Sequence, residues 1–122
     1  MFDFEKLEVY KKAKAFNKVI YAFLKSTKNL DSITRDQLRR ASFSIMLNLA
    51  EGTSRFSKAD RRNFMVIARG SAFECVAILD FLQDENLLEQ EKYQLYYRDA
   101  EELSKMLFAM IRKLETTNKK SV

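Results

Sequence analysis

The sequence predicts an all-α protein, an up-down-up-down four-helix bundle, and three observations carry that expectation. Proline is absent and glycine occurs only at Gly52 and Gly70, so the turn residues that hairpins and sandwiches use are missing. The remaining composition, rich in Leu, Ala, Lys, Glu and Arg, favours helix by propensity. Apolar residues then recur near a 3.6-residue period in four separate segments. With 122 residues the chain supports one domain, 1–122, with a real core, and is too short for two ordinary ones.

The first helix is expected over about 4–26, where Phe4, Leu7, Ala13, Phe16, Ile20 and Phe23 share one face. A polar stretch from Ser26 to Ser32 interrupts it. Thr34 with Gln37 three positions on forms a plausible capping box for a second helix over about 34–51. Its stripe is Leu38, Ala41, Ile45 and Leu49. Gly52 stands where a left-handed residue would close that helix without a Cβ penalty. Ser57 with Asp60 repeats the capping pattern before a third helix, about 58–84, whose stripe is Phe64, Ile67, Ala68, Ser71, Cys75, Ile78 and Leu82. A fourth helix over about 91–116 carries Tyr96, Ala100, Leu103, Leu107, Met110 and Leu114 inward. The tail from Thr116 lacks an apolar pattern and is expected to fray.

Composition bounds function. The charged start and the lack of any membrane-length apolar run point to a soluble, cytoplasmic protein without membrane contact. Cys75 is the only cysteine and histidine is absent, which excludes an intramolecular disulfide and removes the commonest general base and metal ligand. No cofactor, metal site or catalytic set is expected. Between Arg35 and Arg69 eight basic residues face three acidic ones, so the whole net charge of +5 lies there and the rest of the chain balances. Arg35, Arg39, Arg40, Arg55, Lys58, Arg61 and Arg62 are the candidate contacts to a polyanion, expected to cluster around the loop joining helices two and three.

Helices two and three carry a second apolar stripe. At roughly 100° per residue, Phe43 and Leu47 fall about 140° to 180° from Leu38, while Val66, Phe73 and Val76 fall about 120° to 200° from Phe64. Two neighbouring helices with this pattern suggest one contiguous patch and a subunit interface formed by Phe43, Leu47, Val66, Arg69 and Phe73. The plainer alternative is a slightly rotated core in a monomer. Arg62 and Arg69 lie on the same flank of helix three, where an arginine stem packs while its fork reaches an acid.

The ordered set Gln37-Leu38-Arg39-Arg40-Ala41, Ser44-Ile45, Asn48-Leu49-Ala50-Glu51-Gly52 and Ile67-Ala68-Arg69-Gly70-Ser71 with Glu74 resembles the bacterial four-helix bundle proteins encoded within intervening sequences of 23S ribosomal RNA genes. The opening run Phe4 to Ala13 fits the same family. The resemblance implies a ring-shaped homopentamer. The chain is also similar to the accessory protein of diversity-generating retroelements, which implies nucleic-acid binding and a reverse transcriptase as a protein partner.

Asn48, Glu51 and Glu74 could suggest acid–base or metal chemistry, but di-iron bundles complete such sets with histidine. Buried or interfacial hydrogen bonding to Arg39, Arg40 or Arg69 is preferred, with Glu51 and Gly52 as a clasp at the helix turn. Cys75 sits in the core stripe with no activating partner in view. Gly70, inside helix three, points to close approach of another helix, with a kink as the alternative. Tyr93 and Tyr96 are expected to pack in the core rather than stack bases. The leading expectation is a non-enzymatic homo-oligomer that binds RNA or DNA through backbone phosphates without reading sequence. The rival is a structural or adaptor ring that binds another protein, and an enzyme ranks third.

Overall fold

The computed structural model describes residues 1–119, with side chains through Glu115. Among these residues the chain forms a 3₁₀ turn, Asp3–Lys6, and four α-helices: α1, Glu8–Ser26; α2, Ser32–Thr53; α3, Lys58–Asp84; and α4, Gln90–Lys119. It contains no strand among them. Pairings between helices give the topology directly. Ser42 bonds Asn17 and Arg35 reaches Leu24, so α2 runs antiparallel to α1. Ser44 meets Ser71 while Gly52 meets Phe64 and Met65, which reverses α3 against α2. Arg62–Glu115 and Arg69–Ser104 reverse α4 against α3. Lys12–Glu102 and Phe23–Tyr96 then close α4 onto α1. The result is the expected up-down-up-down bundle.

Local chemistry explains where the helices begin and end. The first helix does not start at Phe4. Leu7 is extended and its N–H bonds the Phe4 carbonyl, so residues 3–6 make a separate 3₁₀ turn and α1 opens at Glu8. The cap of α2 is Asp31, whose carboxylate accepts from the Thr34 N–H at 3.2 Å, so this helix opens earlier than a Thr34 cap would allow. Ser57 caps α3 as expected, accepting from the Asp60 N–H at 3.1 Å.

The left-handed closure expected at Gly52 is absent, because no glycine has positive φ and α2 continues through Thr53. It occurs instead at Asn86, with φ of 60°, after α3. There the Leu87 N–H reaches back to the Leu82 carbonyl at 2.9 Å and the Asn86 N–H to that of Gln83. Asparagine tolerates this backbone better than most residues. Helix α4 continues to Lys119 where fraying from Thr116 was the expectation, and residues 120–122 of that tail lie outside the described residues.

The core is built from the predicted stripes with one rotation. Phe16, Ile20, Leu38, Ile45, Leu49, Leu82, Leu103 and Leu107 are fully buried. On α3 the buried line is Met65, Ala68, Ala72, Cys75, Leu79 and Leu82. Ile67, assigned to the core by periodicity, is 51% exposed, and Phe64 and Ile78 are half-buried. Small Ala68 and Ala72 set the axis of contact and turn Ile67 out. Val9, Leu24, Leu30 and Leu88 add to the core at helix ends. No helix among the described residues is long and apolar enough to cross a membrane.

Candidate nucleic-acid interface

The seven basic residues of the candidate polyanion site do not form one cluster. Arg35, Arg39 and Arg40 lie in the first half of α2, whereas Arg55, Lys58, Arg61 and Arg62 surround the α2–α3 loop at the opposite end of the bundle. At 1.5 Å per residue the two groups are roughly 20–30 Å apart along the helix. A helix that spans the bundle necessarily separates its own ends.

Several of these side chains have internal work. The Arg35 guanidinium donates to the Leu24 carbonyl and, at 2.7 Å, to the Thr27 carbonyl. It thereby satisfies the open C-terminal end of α1, where a cation also meets the favourable end of the helix dipole. Arg62 pairs with Glu115 of α4 at 2.8 Å. Arg39 stacks on Tyr21 with its guanidinium carbon 5.0 Å from the ring centre. Arg40 and Lys58 are exposed and have no hydrogen bond or ion pair among the described residues.

At the loop end Lys58 and Arg61 are exposed, while Arg55 is half-buried. Arg55 bonds Glu51 at 2.5 Å and covers the Phe64 ring. Arg61 donates to the Arg55 carbonyl at 2.7 Å, which fixes the loop against the first turn of α3. Between Arg55 and Lys58 stands Phe56, 99% exposed. An aromatic ring fully in water and flanked by cations is the arrangement that stacks a base while its neighbours hold phosphates. Periodicity could not find Phe56, since it belongs to no helix stripe; the run Arg55-Phe56-Ser57-Lys58 was the available signal.

The second apolar stripe is exposed but divided. Phe43 and Leu47, 44% and 50% exposed, form a ridge on the outer side of α2, with Arg40 and Glu51 beside it. Phe73 faces α4 instead, in a groove of about 500 Å³ shared with Val76, Tyr93 and Tyr97. Val66, seven residues before Phe73, lies on the same side. Arg69 packs its guanidinium over Phe73 and Phe108, 4.6 and 5.4 Å from the ring centres, and donates to the Ser104 carbonyl. The expected single patch across α2 and α3 is therefore two faces.

The five residues given structural roles fare differently. Asn48 donates to the Ser44 carbonyl and hydroxyl at 2.8 and 2.9 Å, the Ser44 and Ser71 hydroxyls meet at 2.9 Å, and Ser71 bonds the Ile67 carbonyl. This chain of hydrogen bonds ties α2 to α3. Glu51 clasps Arg55 across the turn, and Glu74 is exposed. Within the subunit none of the three bonds Arg39, Arg40 or Arg69: Arg39 stacks on Tyr21, Arg69 turns to α4, and Arg40 shares a face with Asn48 and Glu51 but makes no hydrogen bond or ion pair among the described residues. Gly52 is buried against α3, where a Cβ would come within 2.7 Å of Met65 Cε and 3.0 Å of Phe64 Cβ. Gly70 has nothing within 4 Å of the same position, so the close approach expected there belongs to Gly52.

Burial pushes the Cys75 thiol up to about 12, with the Glu74 carboxylate adding to the effect. Such a thiol is protonated and shielded at neutral pH. Burial likewise raises Tyr96, which packs edge-on against Phe23, and Tyr93, which also feels Asp80.

Residues 5–109 match the family model described as 23S rRNA-intervening sequence protein. The chain is also similar to a solved structure from Bacteroides thetaiotaomicron VPI-5482, described as a protein with unknown function from the S23 ribosomal protein family. The two are 27% identical and superpose with a TM-score of 0.81, covering 84% of this chain and 97% of the other. No curated protein matches it.

Proposed function

Since the chain belongs to the 23S rRNA-intervening sequence protein family, we propose, from its surface, that it is a non-enzymatic homo-oligomeric accessory protein, pentameric by family resemblance, that binds RNA or DNA without reading sequence. The observation that carries this reading is the α2–α3 loop, where fully exposed Phe56 stands between Arg55 and Lys58, with Arg61 beside them. Phosphates are held by the cations and a base stacks on the ring. Each subunit offers only a few charges, so a ring that repeats the loop multiplies weak contacts through avidity.

The two separate apolar faces support assembly. A monomer leaves Phe43, Leu47 and Phe73 in water, and two unlike faces suit head-to-tail closure into a ring better than a twofold dimer. A retroelement reverse transcriptase is the protein partner that the resemblance suggests.

Fluorescence anisotropy with labelled single- and double-stranded RNA and DNA, titrated across salt, tests the proposal. Binding that weakens steeply with salt, and is lost when Arg55, Lys58 and Arg61 are changed to glutamate while assembly persists, supports it. The adaptor reading draws on the internal engagement of Arg35 and Arg62. Absence of binding at low salt, with the oligomer intact, would favour that reading.

A further inference from the structure

The groove between α3 and α4 has a composition that the ridge on α2 complements. Its lining is apolar, from Ala72, Val76, Ala77 and Ala100, and aromatic, from Phe73, Tyr93 and Tyr97. Asp80 and Glu101 stand at its rim, with no ion-pair partner among the described residues. Phe73 is 54% exposed in it. The ridge of α2 presents Phe43 and Leu47 one turn apart, with unpaired Arg40 a turn before Phe43 and Arg39 beside it; of the two acids on that face, Asp36 and Glu51, the second is already held by Arg55.

Lengths match as well as chemistry. Arg40 to Leu47 and Phe73 to Asp80 are each seven residues, or about 10 Å of helix. A single antiparallel seating therefore puts Leu47 against Phe73, at the Glu101 end of the groove, and Arg40 against Asp80 at the other. The ridge and groove lie on different faces of the bundle, so one molecule cannot satisfy its own pairing.

We infer that the α3–α4 groove of one subunit receives the α2 ridge of a second copy, Arg40 meeting Asp80. The inference deepens the proposed homo-oligomer and rests on it. Each subunit donates a ridge and accepts one, which makes the contact heterologous, so assembly continues until it closes. The acidic rim selects the basic ridge and disfavours groove-to-groove pairing, where like charges would meet.

Complementation tests the pairing. Phe43→Asp destroys the ridge and leaves the groove; Phe73→Asp does the reverse. Both positions are exposed, and far-UV circular dichroism checks that each variant remains helical. With wild type assembled, light scattering should find each variant monomeric, and an equal mixture should give a dimer of twice the 14.4 kDa chain mass and nothing larger. Arg40→Glu should weaken assembly at least tenfold, and Arg40→Glu with Asp80→Arg should recover most of that loss. If wild type assembles but the mixture stays monomeric, or Phe73→Asp still assembles, the pairing is overturned while the oligomer stands. Monomeric wild type at micromolar concentration overturns the oligomer itself.

Discussion

Replacing Gly52 with alanine is expected to destabilise the bundle, although it removes a glycine from a helix. The substitution gains about 1 kcal/mol of helix propensity. Against that, the new methyl group would sit 2.7 Å from Met65 Cε, 3.0 Å from Phe64 Cβ and 3.6 Å from the Arg61 carbonyl oxygen. The Met65 methyl ends a flexible chain and can swing aside. Phe64 Cβ is fixed to the α3 backbone, so α2 and α3 must move apart by a few tenths of an ångström. Overpacking of this kind costs roughly 1–3 kcal/mol, which leaves a net loss of about 1 kcal/mol. For a domain of this size that lowers the midpoint temperature by about 4 °C. Gly70 is the control: its Cβ position is open, so Gly70→Ala keeps the gain of about 1 kcal/mol. Urea unfolding followed by circular dichroism at one protein concentration reads both variants. If Gly52→Ala stabilises as much as Gly70→Ala, the close α2–α3 contact is refuted.

Arg35→Ala should cost about 1–3 kcal/mol in the same unfolding assay, because the Leu24 and Thr27 carbonyls lose a charged donor at the end of α1. Phe56→Ala should leave stability unchanged and weaken single-stranded nucleic acid by roughly 1–3 kcal/mol in anisotropy, with little effect on duplex. Cys75 gives a pH signature. Its ordinary value of 9.0 is raised to about 12 in the fold, so above pH 9 the unfolded chain ionises while the native thiol does not. The unfolded state then binds fewer protons, and stability falls as pH rises from about 9 toward 12. Tyr93 and Tyr96, raised in the same direction, contribute at higher pH. Cys75→Ala should make the alkaline fall in urea midpoint shallower.

What the sequence determined by itself was periodic and local. The four helices follow from the apolar period, and the Ser57 cap from a side chain that bonds its own backbone three residues on. Leu38, Ile45, Leu49 and Leu103 could be placed in the core because a helix alone decides which residues share a face. The exposure of Phe43 and Phe73 was legible for the same reason. Tertiary structure decided everything that depends on how one helix lies against the next. It rotated α3 so that Ile67 faces out, gave the close approach to Gly52 rather than Gly70, and divided one expected apolar patch into a ridge and a groove. It also separated the arginines, tying Arg35 to α1 and Arg62 to α4 and leaving the Arg55–Lys58 loop with its bare Phe56. The period of a helix is a property of its own backbone, whereas its rotation and partners are chosen by the volumes and charges of side chains distant in sequence.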